Sequence, residues 1–580
     1  MIKKFTTLCL LAFALFMNEV TMAQTSFQWA KGWGDGYDDY TVGVATDASG
    51  NVYTLGVFYG TIDLDPGPAT FTIATKGAND IFITKLDPAG NLLWAKRLGG
   101  GGNDDATDIT VDAAGNVYTT GYFIYTADFD PGTGVSNLTA VNNDVFISKL
   151  DANGNFVWAR NLGGGGSETG MGIHVDASGN VYTTGTFGYA ADFDPSPTTT
   201  YTLAAPSSNT IFISKLDING NFVWAKAIGG AGGANLGEDI TTDAAGNVYT
   251  TGQYTKADFD PDATATFSMT CVTGYNSDIF VSKLDPNGNF VWAVSMGDYN
   301  FDYGRSIACN AAGEVYVAGD FSNIVDFDPS ATGTYTINGG SSSDAFVLKL
   351  TQAGDLIWVK NIGGILSKAI AMGLKLDANE NVYTTGSFYG TTDFDPNAGT
   401  VNFVSSGSSY NDVFVSMLDA NGNYNGAAVF GSSGANDYGT SIDVDGSGNI
   451  IVGGNFNDTC DFDPAVSTYT LLATSPNWSD AFVMKMGSIA TGIQNKAIQN
   501  AVVSAYPNPF SNNITFKLTG TDMKQFDIVL YDVLGKEVKR EEKITEQTAT
   551  MDVSELNAGI YFYKLIQNGK AITTGKLIAE

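Results

Sequence analysis

An all-β fold is predicted by three features of this 580-residue chain. It is rich in Gly (69 residues) and aromatics (12%) and poor in charge (16%), a profile of short strands and tight turns rather than amphipathic helices. One pattern of apolar strands recurs along most of its length. Gly-Asn turns punctuate that pattern at fixed places.

The repeat reads as four strands, here a to d. The clearest copy runs Gly172–Asp176, Gly179–Phe187, Ile211–Asp217 and Gly220–Lys226. Strand a ends at Asp47, Asp112, Asp176, Asp243, Asn310, Asp377 and Asp445, a period of 64 to 68 residues and seven copies. Strand c carries Lys85, Lys149, Lys215, Lys283, Lys349, Met417 and Lys485, again seven. Strand d holds Trp94, Trp158, Trp224, Trp292 and Trp358, with Tyr424 in the same place. The last unit stops after strand c near Met486, while an unpaired d-like strand, Phe27–Lys31, precedes the first unit. A linear solenoid needs polar caps at both ends, whereas a ring can pair the surplus strand with the incomplete unit and leave no open edge. The prediction is therefore a seven-bladed β-propeller over residues 24–487, closed by its N-terminal strand. Strand d, apolar at four successive positions (Phe156 to Ala159), is expected to be covered on both faces by neighbouring blades.

The turns Asp-x-x-Gly-Asn join a to b and c to d, with Asp accepting backbone N–H groups and Gly at positive φ. Function is expected on the opposite face of the disc, which receives b–c inserts of about twenty residues, longer than a hairpin requires. Each insert contains Asp-x-Asp-Pro: Asp63 and Asp65, Asp128 and Asp130, Asp192 and Asp194, Asp258 and Asp260, Asp326 and Asp328, Asp393 and Asp395, Asp461 and Asp463. Connections from d to a are read as adding Asp39, Asp105, Glu168, Glu238, Asp302 and Asp437, with Ser367 and Lys368 in the remaining copy. Three roles suit these acids: shaping a turn before Pro, bridging by calcium, and recognising a glycan or basic ligand. Calcium is the one cofactor the pattern would suit.

Several function classes are disfavoured. A formal charge of −32 without a Lys/Arg cluster repels phosphate backbones, so no nucleic-acid partner is expected. The only histidine, His174, excludes His-based triads and multi-His metal centres and is read as a strand residue. The acids recur with near-sevenfold regularity, and no copy is seen to depart from the repeat with Arg, Tyr and a carboxylate together, so no catalytic residue is assigned. Cys271, Cys309 and Cys460, an odd number in three different copies, form no disulfide framework.

Both termini carry addresses. Lys3 and Lys4, an apolar stretch from Leu8 to Met17 and Thr21-Met22-Ala23 read as a signal peptide over residues 1–23, and no later stretch is apolar enough to span a membrane. After a linker, 488–500, residues 501–580 hold 9 basic and 10 acidic side chains and thus only −1 of the total charge. Their strands, with Pro and Gly at the corners, predict a small Ig-like β-sandwich.

In that segment Pro507-Asn508-Pro509-Phe510, Asp532-Val533-Leu534-Gly535-Lys536 and Ala558-Gly559-Ile560-Tyr561 stand in order. They resemble the type A (Por) sorting domain of the type IX secretion system. The resemblance implies handling by that machinery, with Pro507, Asn508, Pro509, Phe510, Gly535 and Gly559 as sorting-motif residues, and a location outside the cell or on its surface. Asp-x-x-Gly-Asn-Val-Tyr-x-x-Gly likewise resembles bacterial β-propeller repeats of the SBBP kind, a family with no assigned catalytic residues. The expected function is a secreted or surface-held, non-catalytic binding or scaffold protein for a glycan or protein ligand. The alternative is a secreted polysaccharide-degrading enzyme using carboxylates on the insert-bearing face.

Overall fold

A computed structural model describes residues 27–487, 489 and 502–579, apart from 231, 263, 331, 341, 365–366, 408–409, 465–467, 476, 520–525, 532–535, 545–547 and 568–569. The expected signal peptide, all of the linker but Ile489, and Gly535 lie outside the described residues. The chain divides into two compact units, Met1–Gly492 and Ile493–Glu580.

The first unit is built from four-stranded antiparallel sheets in the order a-b-c-d. One consists of Thr169–Val175, Val181–Phe187, Thr210–Leu216 and Phe222–Ile228, and another of Leu236–Thr242, Val248–Tyr254, Asp278–Leu284 and Phe290–Met296. The same order recurs before and after these two. In the last, Tyr438–Val444, Ile450–Phe456 and Asp480–Met486 are completed by Phe27–Trp33, which pairs antiparallel with Asp480–Met486 from Phe27 opposite Met486 to Trp33 opposite Ala481.

The turns form as the Asp and Gly positions dictate. Asp112 Oδ1 accepts the N–H groups of Ala114 and Asn116, its Oδ2 accepts the Asn116 amide and the Tyr118 hydroxyl, and Gly115 takes φ +81°. Five strand-c lysines, Lys85, Lys149, Lys215, Lys283 and Lys349, lie over strand-b tyrosines, as Lys149 does over Tyr118 at 4.8 Å.

Each strand-d tryptophan donates its indole N–H to a c–d turn of the neighbouring sheet: Trp94 to Ala152 O, Trp158 to Ile218 O and Trp224 to Pro286 O, at 3.1 to 3.2 Å. Strand d is not covered on both faces as expected. Leu93 is 52% exposed and Val157, Val223, Val291 and Ile357 are 41 to 46% exposed, because d is the outermost strand and turns this position to solvent.

The second unit holds a three-stranded sheet (Val502–Tyr506, Asn513–Thr519, Thr548–Asp552) and a four-stranded one (Glu537–Ile544, Phe526–Tyr531, Gly559–Gln567, Lys570–Ala579). They share one apolar core that includes Phe510, Ile514, Phe516, Ile528, Leu530, Tyr563 and Leu577. Phe510 is buried beside Tyr561, and its N–H donates to Ile578 O. Asn508 Oδ1 accepts the Ile578 N–H at 2.8 Å, while Pro507, Pro509 and Gly559 are exposed.

Candidate functional site

The inserts leave strand b and return to strand c as short ribbons, such as Lys256–Asp258 paired with Ser268–Thr270. The first Asp of each Asp-x-Asp-Pro ends the outgoing strand and accepts two backbone N–H groups on Oδ1. For Asp258 these are Asp260 at 3.2 Å and Phe267 at 2.7 Å; for Asp326 they are Asp328 at 3.1 Å and Tyr335 at 2.8 Å. Asp63, Asp128, Asp192, Asp393 and Asp461 do the same, reaching Phe71, Ser136, Tyr201, Val401 and Tyr469. The second Asp accepts the N–H two residues on in Asp65, Asp130, Asp194, Asp260, Asp328 and Asp395. Asp463 is buried. The residue between the acids, Leu64 or a Phe such as Phe259, is buried. The ribbon also bridges backwards to the preceding sheet, since Asp258 N donates to Gly229 O at 3.0 Å at the end of that sheet's strand d. Among the described residues no group of three or more His, Cys, Asp or Glu is placed to hold a metal ion.

The d–a connections differ from expectation in two copies. Asp104, not Asp105, occupies the connector position, its carboxylate accepting the Gly100 and Ile124 N–H groups. Asn235, not Glu238, does so two copies later, accepting the Thr255 N–H. Asp105 and Glu238 instead belong to inner strands. Asp105 opens Asp105–Val111 and accepts the hydroxyls of Tyr40 (3.1 Å) and Tyr122 (3.2 Å).

Residues of these inner strands, from Val42 to Ile442, line a cavity of about 540 Å³. Its wall is bridged sideways by side chains at one strand position. Asp108 Oδ2 accepts the Ile173 N–H (2.8 Å), Asp239 Oδ2 accepts the Ile307 N–H (2.8 Å), Ser306 Oγ accepts the Leu374 N–H (3.2 Å) and Ser441 Oγ accepts the Val44 N–H (3.1 Å). Gly43, Gly172 and Gly373 stand at the same position. A β-carbon on Gly43 would come within 2.6 Å of Ile109 Cγ2, so glycine lets those strands approach.

Charges that at most one other copy repeats converge here. Lys375, half-exposed to the cavity, has its Nζ 2.8 Å from Asp443 Oδ1, and this carboxylate, with Asp108 and Asp239 behind it, holds the ammonium above its ordinary value. Burial raises both Asp108 and Asp239; the Asp239 carboxylate adds to the rise at Asp108, while backbone N–H groups, the Ser306 hydroxyl and Lys375 oppose it at Asp239. His174 is pushed down to about 4 by burial and by Lys375, so it is neutral at pH 7. Near the insert-side mouth Arg305 Nε donates to Asp320 Oδ1 (2.6 Å) and its guanidinium lies 4.7 Å over Tyr303, which stacks on the exposed Phe301 with ring centroids 6.3 Å apart. Glu238 is pushed up to about 7 by burial, opposed by Arg305 and reinforced by Asp239 and Asp320. The expectation that no copy clusters Arg, Tyr and a carboxylate is thus corrected. Tyr303, Arg305 and Asp320 belong to one copy, on its strands Tyr303–Cys309 and Val315–Phe321, and Glu238 joins them from the preceding copy.

Each unit contains residues that match a known family model. Residues 504–580 match the family described as Secretion system C-terminal sorting domain, and residues 93–122 match the one described as Beta-propeller repeat. A protein described as an uncharacterized WD repeat-containing protein of Acanthamoeba polyphaga mimivirus is 25% identical over 486 residues, 71% of this chain, which spans 35% of that relative's length. A crystal structure of a protein of unknown function from Dyadobacter fermentans, 10% identical, covers 80% of this chain and 99% of its own with a TM-score of 0.32. No helix among the described residues is long and apolar enough to cross a membrane. The chain therefore carries an SBBP β-propeller repeat and ends in a Por secretion sorting domain, which marks it for the cell surface or the exterior.

Proposed function

We propose that the exported chain is a non-catalytic binding protein, a ring of seven blades closed by its own N-terminal strand, whose insert-bearing face takes a saccharide. Closure is supported by the pairing of Phe27–Trp33 with Asp480–Met486. Contacts between the first and last inner strands support it too: Val44 N–H to Ser441 Oγ, and Thr46 Oγ1 to Asp443 Oδ2 at 2.7 Å. The likeness to a WD repeat-containing protein is in keeping with a propeller.

One observation carries the binding reading. The insert-side loops expose tyrosines to an unusual degree: Tyr125 (69%), Tyr189 (74%), Tyr275 (78%) and Tyr299 (73%). A face that offers flat aromatic rings beside many carboxylates suits a sugar, which presents apolar C–H faces to rings and hydroxyls to acids. On this reading the Asp-x-Asp-Pro acids shape the inserts rather than hold calcium.

A second reading rests on Glu238, whose carboxyl is held near neutrality beside Arg305, Tyr303 and Asp320 in the manner of a general acid for glycosidic cleavage. The full chain on a glycan array, with and without calcium, paired with a reducing-sugar assay, separates the two. The expected result is calcium-independent binding that falls about tenfold in Tyr125→Ala or Tyr189→Ala, the loss of one stacked ring, with no sugar released. Sugar release abolished by Glu238→Gln would replace binding with hydrolysis.

A further inference from the structure

Two repeat positions mark each d–a connection: one in strand c and one in the connector. The repeats supply Asp80 with Asp104, Asp144 with Glu168, Thr210 with Asn235, Asp278 with Asp302, Asp344 with Ser367, Asp412 with Asp437, and Asp480 with Asp39. All of these are buried. In the first pair the two carboxylates face one point, since a β-carbon on Gly99 would lie 2.7 Å from Asp80 Oδ1 and 3.0 Å from Asp104 Oδ2. In the third copy both positions are neutral together.

Two buried carboxylates side by side need a neutralising species. The first pair has Arg97, which donates to Asp80 Oδ2. The strand-d position of Arg97 is Ser295 beside Asp278, Val429 beside Asp412 and Gly32 beside Asp480, none of which brings a charge.

We propose that Asp278–Asp302, Asp412–Asp437 and Asp480–Asp39 each hold one proton at neutral pH, and that its loss loosens the connectors of the insert-bearing face. Asp278 Oδ1 and Asp480 Oδ1 are buried and have no hydrogen-bond partner, as an oxygen that should carry the proton would. Both oxygens of each connector acid already accept backbone amides: Asp302 from Asp298 and Ser322, Asp437 from Ser432 and Asn457, and Asp39 from Asp35 and Tyr59. That leaves too few oxygens free for a metal ion and favours a proton. The groups facing each pair are acids as well: Asp298 near Asp278 and Asp302, Asp35 near Asp480 and Asp39, and the buried thiol of Cys460 near Asp412 and Asp437.

The electrostatics point the same way. Burial first, then the neighbouring acids, push Asp39 up to about 8 and Asp278, Asp302 and Asp437 up to about 7, with backbone N–H groups opposing. A carboxyl raised on folding binds more protons in the folded state. Its stabilising contribution is therefore complete below the ordinary carboxylate range and is lost as pH climbs through about 7 to 8.

The test uses the full chain and the double variant Asp278→Asn/Asp480→Asn, which keeps the neutral shape. Native Tm should fall by several degrees between pH 5.5 and 8.5, and the fall should shrink clearly in the double variant. Infrared difference spectra between those pH values should show a buried protonated carboxyl band in the native chain that is reduced in the variant, a readout independent of Tm. Equal falls in both proteins, or no such band, would overturn the proposal. So would calcium or sodium restoring the native Tm at pH 8.5 but not that of the variant, since the pairs would then be cation sites.

Discussion

The smallest unit that explains the repeat is a tryptophan and a glycine from neighbouring sheets. Trp158 donates its indole N–H to Ile218 O, and Gly220, at φ +74°, lies so close that a β-carbon there would stand 3.0 Å from Cδ2 of the indole. The same pairing joins Trp94 to Gly154 and Trp224 to Gly288. Both residue types are therefore fixed by one contact. Trp158→Phe should lower stability by about 1 to 2 kcal/mol, one hydrogen bond and part of a ring. Gly220→Ala should cost at least about 1 kcal/mol through its positive φ alone. Urea unfolding followed by tryptophan fluorescence measures both, and a neutral Gly220→Ala would remove the close-approach argument. This contact was half legible: the sequence shows the Trp and Gly series, but only the structure shows that they belong to adjacent sheets.

At the scale of the element, the inserts act as staples. The first Asp of each Asp-x-Asp-Pro pins the returning chain, the Phe between the acids enters the core, and the backbone pairs with the previous sheet. Asp258→Ala should leave the N–H groups of Asp260 and Phe267 without their acceptor and cost about 1 to 2 kcal/mol, whereas Asp258→Asn should retain most of it. Chelation with EDTA should leave the native Tm unchanged, and a drop comparable to that of Asp258→Ala would show that calcium shares these carboxylates. The motif was plain in the sequence because it repeats. The connector acids were misplaced by one residue at Asp104 and by three at Asn235, since spacing alone cannot tell a connector from the start of a strand. Inner strands add a bulge, as between Ala106 and Asp108 and between Gly237 and Asp239, which hides the register further.

For the whole molecule, the cavity is the feature least visible in the sequence. His174, Glu238, Arg305, Lys375 and Asp443 each look like an isolated exception to the repeat, while Asp108 and Asp239 share one repeat position. They become a set only when the inner strands are arranged about one cavity. Repeat regularity argues against a special site, yet Tyr303, Arg305 and Asp320 depart from it together in one copy, where the pairing of strands a and b brings the carboxylate to the guanidinium.

The proposed ring depends on its two ends being joined, and amide hydrogen exchange followed by mass spectrometry tests that most directly. Peptides covering Phe27–Trp33 should be protected to the same degree as Asp480–Met486, the strand they pair with, and both should lose protection together in denaturant. Exchange of Phe27–Trp33 at the rate of an unpaired tail, with Asp480–Met486 still protected, would contradict closure.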